Sequence, residues 1–288
     1  MDKNKIKKQH KYHLLKGIFG SAKEALLLLK RNPKYLILSA VSDLLFFFFY
    51  GFILSKLFNK TTEYMYTFAN RMTLYSLQNP MSPPFSMSAI SETGASGLLL
   101  NIILLFIIII ISTYFVYCFF QGFSWAFARK IIDGIGEKTD SYRFVISFFF
   151  INLFWFSLYI IYKIINYGLS LSYMLKTKAE TSPTGIFSVI LFLILAYFVF
   201  ISYSLQDKNK GIKEIFRFGI RRFPQVIFSY IFVILIFVLL DLILKLISFG
   251  GIVSFIICGI ILLPTAFLWA RLYMIQIIGK IYSVHTNN

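Results

Sequence analysis

The chain has 288 residues, of which 58% are hydrophobic, 19% aromatic and only 14% charged, and its formal net charge is +17. Globular proteins carry about 25% charged residues, so this composition excludes an ordinary soluble domain. The two cysteines, Cys118 and Cys258, fall within apolar runs and exclude a disulfide framework.

The first 34 residues form a basic segment that we expect to be cytoplasmic, because it contains ten Lys and Arg residues. Its last part predicts an amphipathic helix, and a basic polar face of this kind suits the membrane interface. The charged arc of that helix consists of Lys23, Glu24, Lys30 and Arg31, opposite Ala25, Leu26, Leu28 and Leu29. We expect Lys30 and Arg31 to contact anionic lipid before Pro33 turns the chain.

Six runs in residues 35–280 are long and apolar enough to cross a bilayer, near 35–57, 98–120, 145–165, 186–205, 226–247 and 252–278. Each run must be helical, because hydrocarbon offers no partner for free backbone N–H and C=O groups. Gly250 and Gly251 permit a tight reversal between the last two runs. The predicted fold class is therefore all-α, a polytopic membrane protein whose six transmembrane helices form three hairpins.

Residues 58–96 form the one long connection, which we expect to be an external loop. The loop begins with an amphipathic helical pattern and ends in a linker rich in Pro and Ser. Asn59 opens a glycosylation sequon with Lys60 and Thr61. Loops longer than about 15 residues are often functional or disordered, so if the protein docks an external partner, this loop is where we expect the contact.

A motif is written twice, as KEALLLLKRNP in residues 23–33 and as KEIFRFGIRRFP in residues 213–224. Each copy starts with Lys-Glu, passes through apolar residues and a basic pair, and reaches a proline before a long apolar run. Residues 125–145, WAFARKIIDGIGEKTDSYRFV, look like a third, degenerate copy that Gly134 and Gly136 interrupt. Thr139 or Ser141 would cap a second short helix there. The sequence thus predicts an amphipathic cytoplasmic helix before each of three hairpins; chance similarity of basic juxtamembrane segments is the alternative.

Three hairpins with lead-ins of the KGIKEIFRFGIRRFP type resemble a loose group of prokaryotic six-span proteins. That group includes the membrane domain found beside glycerophosphodiester phosphodiesterases. The resemblance covers most of the chain, and it implies an architecture and an association with lipid or the cell envelope. It implies no catalytic residues, and this chain carries no phosphodiesterase barrel.

The distribution of basic residues predicts the orientation in a plasma membrane. Of the 29 Lys and Arg residues, 21 fall on the side of the two termini and six on the other side, so both termini, including the tail 281–288, should be cytoplasmic. Basic residues near the inner leaflet attract anionic lipid. In the second copy of the motif, these residues are Lys213, Arg217, Arg221 and Arg222. The charge is spread over separate segments without a nucleic-acid-binding motif, so we expect no nucleic-acid partner.

Five polar residues within the spans are candidates for function, because charges in hydrocarbon are costly unless they are paired or hydrated. They are Asp43, Asn152, Asp241, Lys245 and Arg271. In the functional interpretation, these residues line a buried polar pathway for an ion or a polar head group. In the structural interpretation, Asp241 pairs with Lys245 on one helix face, Arg271 snorkels to the interface and Asp43 lies near the inner interface.

The sequence contains none of the motifs that would indicate an enzyme, such as HExxH, GxSxG or a Walker loop. We therefore expect no catalytic residues, no metal site and no cofactor. The first functional hypothesis is a non-enzymatic membrane protein that organises lipid or a partner membrane protein. The alternative is a transporter or channel for a small solute.

Overall fold

The structure is a computed structural model that describes residues 3–80, 86–134, 140–177, 184–206 and 211–286. Side chains are described for residues 17–80, 86–134, 140–169, 185–206 and 211–283.

Helices account for nearly all of the described residues, and no strand occurs among them. The elements in chain order are α1 (Lys3–Arg31), α2 (Pro33–Phe48), a π-helical turn (Phe49–Leu54), α3 (Ser55–Gln78), α4 (Met87–Glu92), α5 (Ser96–Asp133), α6 (Ser141–Thr177), α7 (Thr184–Ser204), α8 (Ile212–Arg221), α9 (Phe223–Ser248) and α10 (Ile252–Thr286). Asn32 separates α1 from α2, and its side-chain amide donates to the carbonyl of Leu28 at 3.0 Å.

Six helices of the described part are long and apolar enough to cross a membrane. They are Pro33–Gln78, Ser96–Asp133, Ser141–Leu169, Gly185–Ser204, Phe223–Ser248 and Ile252–Ser283. Over the described residues, the prediction of an all-helical chain with six helices long and apolar enough to span a membrane is therefore confirmed, as expected of a multi-pass membrane protein.

The helix of the first span does not end where its apolar run ends. It continues through the π-helical turn and α3 to Gln78, so the first half of the predicted external loop 58–96 is helical, and α4 adds a second helix within it. No Gly or Pro occurs between Gly51 and Pro80. Loss of hydrophobicity does not itself stop a helix, whereas Gly and Pro do.

In the described residues of the third copy, 125–134 and 140–145, there is no separate amphipathic helix, so that prediction is wrong there; the predicted break at Gly136 and cap at Thr139 lie outside the described residues. Residues 125–133 are the last part of α5, which continues without a break to Asp133 and stops before Gly134, where φ is +79°. Trp125, Ala126 and Arg129 are buried. The next helix, α6, begins at Ser141, and the backbone N–H of Tyr142 donates to the Asp140 carboxylate at 3.0 Å.

The chain divides into two compact units, one of residues 1–44 with 121–288 and one of residues 45–120. In the second unit, the rings of Phe46 and Tyr117 meet edge to face at 6.0 Å. Arg71 of α3 donates to the carbonyl of Gly94 at 3.0 Å, which holds the turn that follows α4.

Within the first unit, the second half of α10 is the central helix. Every residue from 268 to 278 is buried, and α1, α7 and α9 pack against α10. Trp269 donates its indole N–H to the carbonyl of Ala22 in α1 at 3.2 Å. Lys280 Nζ lies 2.8 Å from the Glu24 carboxylate. The start of α10 is different, because its apolar side chains, among them Ile256 and Ile260, are exposed.

Candidate functional site

A buried ion pair joins two helices of the first unit. Arg271 of α10 donates through Nη2 to Oδ1 of Asp43 in α2 at 2.7 Å, and through Nη1 to Oδ2 at 2.8 Å. Asp43 is 0% exposed and Arg271 is 5% exposed. The two parallel hydrogen bonds use the planar geometry that guanidinium and carboxylate share, which is the strongest form of such a pair.

Three uncharged side chains complete the hydrogen bonds of this pair. Gln121 of α5 accepts from Arg271 Nη2 at 2.8 Å and donates to Asp43 Oδ1 at 3.1 Å. Ser124 of α5 donates to the same Asp43 oxygen at 3.0 Å. Ser39 of α2 accepts from Arg271 Nη1 at 3.3 Å. We call these residues, Ser39, Asp43, Gln121, Ser124 and Arg271, the buried polar network.

The local sequence explains why each helix presents its polar groups together. Ser39 and Asp43 are four residues apart on α2, and Gln121 and Ser124 are three apart on α5, so each pair lies on one helix face. Sequence reasoning found Asp43 and Arg271 but missed the other three. The signal was present in their helical spacing, but nothing in the sequence said that the two faces meet.

The snorkelling interpretation of Arg271 is wrong. Its side chain stays inside the bundle because Asp43 lies within hydrogen-bond distance and satisfies its charge there. Arg271 lies about 28 Å along α10 from Ile252, at 1.5 Å per residue. The network thus lies in the half of α10 that neighbouring helices surround. Its polar groups bond to one another and so hold α2, α5 and α10 together.

Asn152 belongs to a different contact, between α6 and α7. Its amide donates to the carbonyl of Phe148 at 2.8 Å, and Tyr203 donates its hydroxyl to the Asn152 oxygen. Nearby, Trp155 donates its indole N–H to Ser202 at 3.0 Å. The bonds from Tyr203 to Asn152 and from Trp155 to Ser202 join α6 to α7, and hydrogen bonds of this kind between helices satisfy polar groups that a membrane leaves without water.

The predicted pair of Asp241 and Lys245 is confirmed, with Lys245 Nζ 2.7 Å from the Asp241 carboxylate. Both side chains are more than half exposed. By their hydrogen bonds, the five predicted intramembrane residues therefore form three separate sets. The structure pairs Asp43 with Arg271, and it gives Asn152 and Asp241 partners of their own.

Helix α8 carries the basic residues of the second motif copy. Lys213, Arg217 and Arg221 are exposed, whereas Ile215, Phe218 and Gly219 on the opposite side are buried. Arg222, at the helix end, is half-buried. On α1, Lys30 and Arg31 are also exposed.

Gly219 places α8 directly against α7. Tyr197 of α7 donates its hydroxyl to the Gly219 carbonyl at 2.9 Å. A Cβ at position 219 would lie 2.7 Å from Cε1 of Phe198 and 3.1 Å from Cδ1 of Ile201. Real Cβ atoms essentially never come this close to other heavy atoms, so any larger residue would have to displace the Phe198 side chain. The orientation of the basic face is thus fixed by tertiary contacts.

Within the described ranges, no group of three or more His, Cys, Asp or Glu residues could hold a metal ion. No protein-family model, no curated protein and no solved structure matches the chain.

Proposed function

We propose that this chain is a non-enzymatic protein of a plasma membrane whose cytoplasmic basic surface binds anionic lipid and thereby organises lipid or a partner membrane protein. Its six spans form three hairpins with both termini in the cytoplasm. Amphipathic helices α1 and α8 lie at the inner interface ahead of the first and third hairpins. The resemblance to the membrane domain found beside glycerophosphodiester phosphodiesterases agrees with this association with lipid.

The observation that carries the proposal is the arrangement of side chains on α8. Lys213, Arg217 and Arg221 share one exposed arc with Glu214, which leaves the arc positively charged, and the opposite arc packs against the bundle through Gly219. Because the contacts of Gly219 hold α8 in one orientation against α7, its basic arc always faces the same side. Each basic residue near an anionic surface contributes about 1 kcal/mol, and three at one place make a measurable selectivity.

The test replaces Lys213, Arg217 and Arg221 together by Gln in the full chain, reconstituted in nanodiscs of phosphatidylcholine and phosphatidylglycerol. Association of spin-labelled phosphatidylglycerol, relative to spin-labelled phosphatidylcholine, should be strong for the wild type and fall towards equality for the variant. The matched control replaces three exposed lysines of the opposite predicted side, Lys56, Lys60 and Lys163, and should lower the selectivity less, because these lysines are divided between α3 and α6 and Lys60 is paired with Glu63. Unchanged selectivity in the α8 variant, with the fold intact, contradicts the proposal.

The partner interpretation has its own test, which is native mass spectrometry of the protein extracted gently from its membrane. A second protein retained at fixed stoichiometry supports an organising role within a complex. A bare chain with anionic lipid supports the lipid role alone.

The buried polar network favours a second candidate function, transport of a small solute. An ion pair within a span is the kind of feature that marks a pathway in transporters. The double variant Asp43→Leu with Arg271→Met separates the two functions, because it removes both charges and leaves neither one unpaired. Loss of solute flux in a stable double variant supports transport, and unchanged flux in a stable double variant supports the structural interpretation.

A further inference from the structure

The packed side of α8 is held by aromatic contacts with three other helices. Phe216 packs against Phe198 of α7, with ring centroids 4.6 Å apart, and against Trp155 of α6 at 5.6 Å. Phe218 packs against Tyr282 of α10 at 5.7 Å. Because α6, α7 and α10 all contact α8, the spacing of the side chains on its exposed side is set before any ligand binds, which lowers the entropic cost of binding.

Two arginines lie next to each other on the exposed side of α8. Arg217 and Arg221 are four residues apart on this helix, and both are exposed. Residues at this spacing have Cβ atoms about 5–6 Å apart, so the two guanidinium groups can lie side by side. A guanidinium donates two parallel hydrogen bonds to one phosphate group. The pair therefore offers two phosphate-binding groups at a short separation that the helix fixes.

The position of this pair along the chain places it where the chain enters the membrane. Arg221 is the last residue of α8, and α9, which begins at Phe223, is one of the six described helices that are long and apolar enough to cross a membrane. The alternative basic pair at the same spacing, Lys213 with Arg217, has the exposed carboxylate of Glu214 beside it. An anion would thus bind more favourably at Arg217 and Arg221.

Exposed apolar side chains adjoin the two arginines in the chain. Ile220, which precedes Arg221, is 66% exposed, and Phe223, at the start of α9, is 50% exposed. A site for a soluble anion has no need of apolar surface, whereas the acyl chains of a lipid would cover these side chains. Two phosphate-binding groups next to exposed apolar surface indicate a lipid that carries two phosphates.

We propose, resting on the binding of anionic lipid by α8 that the proposed function requires, that Arg217 and Arg221 together bind one molecule of cardiolipin, the phospholipid class in which one glycerol joins two phosphates. Each guanidinium donates to one phosphate, and Ile220 and Phe223 contact the acyl chains. The short glycerol keeps the two phosphates close together, as the helix keeps the two arginines. Once the first phosphate binds, the second is present at a high effective concentration, so cardiolipin binds more tightly than lipids with a single phosphate.

The experiment is native mass spectrometry of the full chain in detergent micelles, titrated with cardiolipin or with phosphatidylglycerol at equal total phosphate. We expect the wild type to retain one cardiolipin with an affinity about tenfold or more above that for phosphatidylglycerol. Equal affinities for the two lipids per phosphate overturn the proposal. Displacement of cardiolipin by an equal concentration of inorganic pyrophosphate also overturns it, because a soluble diphosphate would then occupy the site without acyl chains.

Three single variants, Lys213→Gln, Arg217→Gln and Arg221→Gln, each remove one positive charge from the exposed arc of α8. Arg217→Gln and Arg221→Gln should each lower the affinity for cardiolipin about tenfold, to near that for phosphatidylglycerol. Lys213→Gln is the matched control and should keep the preference for cardiolipin. Equal losses in all three variants mean that the lipid responds to total charge alone, and they overturn the proposal. Because all three side chains are exposed, each variant should fold like the wild type, which thermal unfolding checks.

Failure of the proposed function gives a different result from failure of the cardiolipin assignment. If α8 does not bind anionic lipid, the triple variant of Lys213, Arg217 and Arg221 keeps the wild-type selectivity for spin-labelled phosphatidylglycerol. If only the cardiolipin assignment is wrong, the triple variant loses that selectivity, while the wild type binds the two lipids equally per phosphate.

Discussion

Two ion pairs of this chain, both within predicted spans, have opposite surroundings. Asp43 and Arg271 are almost completely buried and each has further hydrogen-bond partners, whereas Asp241 and Lys245 are exposed on one face of α9. Removing one partner of a buried pair leaves an uncompensated charge and costs about 3–5 kcal/mol. The Asp241–Lys245 pair lies near the end of α9 at Ser248, and a pair that water reaches contributes at most about 1 kcal/mol.

We therefore expect Asp43→Asn to destabilise the protein by about 3–5 kcal/mol, because it leaves Arg271 charged and buried. Arg271→Met should have a similar effect through the unpaired Asp43 carboxylate. The double variant Asp43→Leu with Arg271→Met should recover most of this loss. Thermal or steric-trapping unfolding in detergent micelles measures all three.

The control for this prediction is Asp241→Asn, which should change the unfolding free energy by less than about 1 kcal/mol. If the single variants at Asp43 and Arg271 are as mild as this control, the network is not a structural clamp. Strictly additive losses in the double variant would contradict the pairing itself.

At Gly219 we expect replacement by alanine to have the opposite effect on stability from the one usual for a glycine within a helix. Alanine in a helix interior is normally more stabilising than glycine by about 1 kcal/mol. At position 219 the added Cβ would meet Phe198 at 2.7 Å, so we expect Gly219→Ala to destabilise the fold by about 1–3 kcal/mol. Gly20→Ala in α1, where nothing lies within 4 Å, should be neutral or stabilising.

A second variant checks the cause of this effect. Phe198→Leu in combination with Gly219→Ala shortens the side chain that the new Cβ meets, and it should restore part of the lost stability. The same thermal unfolding measurement applies. No recovery would mean that the cost of Gly219→Ala lies elsewhere.

At the scale of elements, α1 is attached to the bundle by a narrow buried stripe. Ile18, Ala22, Ala25 and Leu29 are buried, and these positions recur every three or four residues. Leu26, which the sequence placed on the apolar arc, is exposed instead. Small side chains at Ala22 and Ala25 let α1 approach the bundle closely. Because only this stripe contacts the bundle, we expect the other apolar residues of α1 to contact the membrane.

We expect Ala25→Leu to loosen α1, because Ala25 is 0% exposed and a larger side chain has no room there. Limited proteolysis of the protein in nanodiscs should then cut within α1 faster than in the wild type. Leu26→Ala is the control, since its side chain is exposed, and it should be cut at the wild-type rate. Equal rates for all three proteins would show that α1 is held by other contacts.

At the scale of the whole molecule, orientation remains a prediction from charge. Cys118→Ser with Cys258→Ser provides a background without native thiols. A single cysteine at His285 should then react with a membrane-impermeant maleimide only in permeabilised cells, whereas one at Asn59 should react in intact cells. Labelling of position 285 in intact cells would falsify cytoplasmic termini.

The number of spans and their helical form could be predicted because both follow from local composition. An apolar run of sufficient length must be a helix in hydrocarbon, and each of the six runs is one. The helix ends were harder. The helix that begins at Pro33 continues to Gln78, because no residue there stops it, and residues 125–133 remain part of α5 although their composition indicates an interfacial segment.

The sequence by itself determined that this is an all-helical membrane protein, that Asp241 can pair with Lys245, and which charged residues lie within the spans. These properties depend on neighbours within about one or two turns of a helix. Only the tertiary structure decided that Arg271 pairs with Asp43, that Gln121 and Ser124 support this pair, and that Gly219 docks α8. These contacts join residues far apart in the chain, and helical periodicity says which residues share a face but not which faces meet.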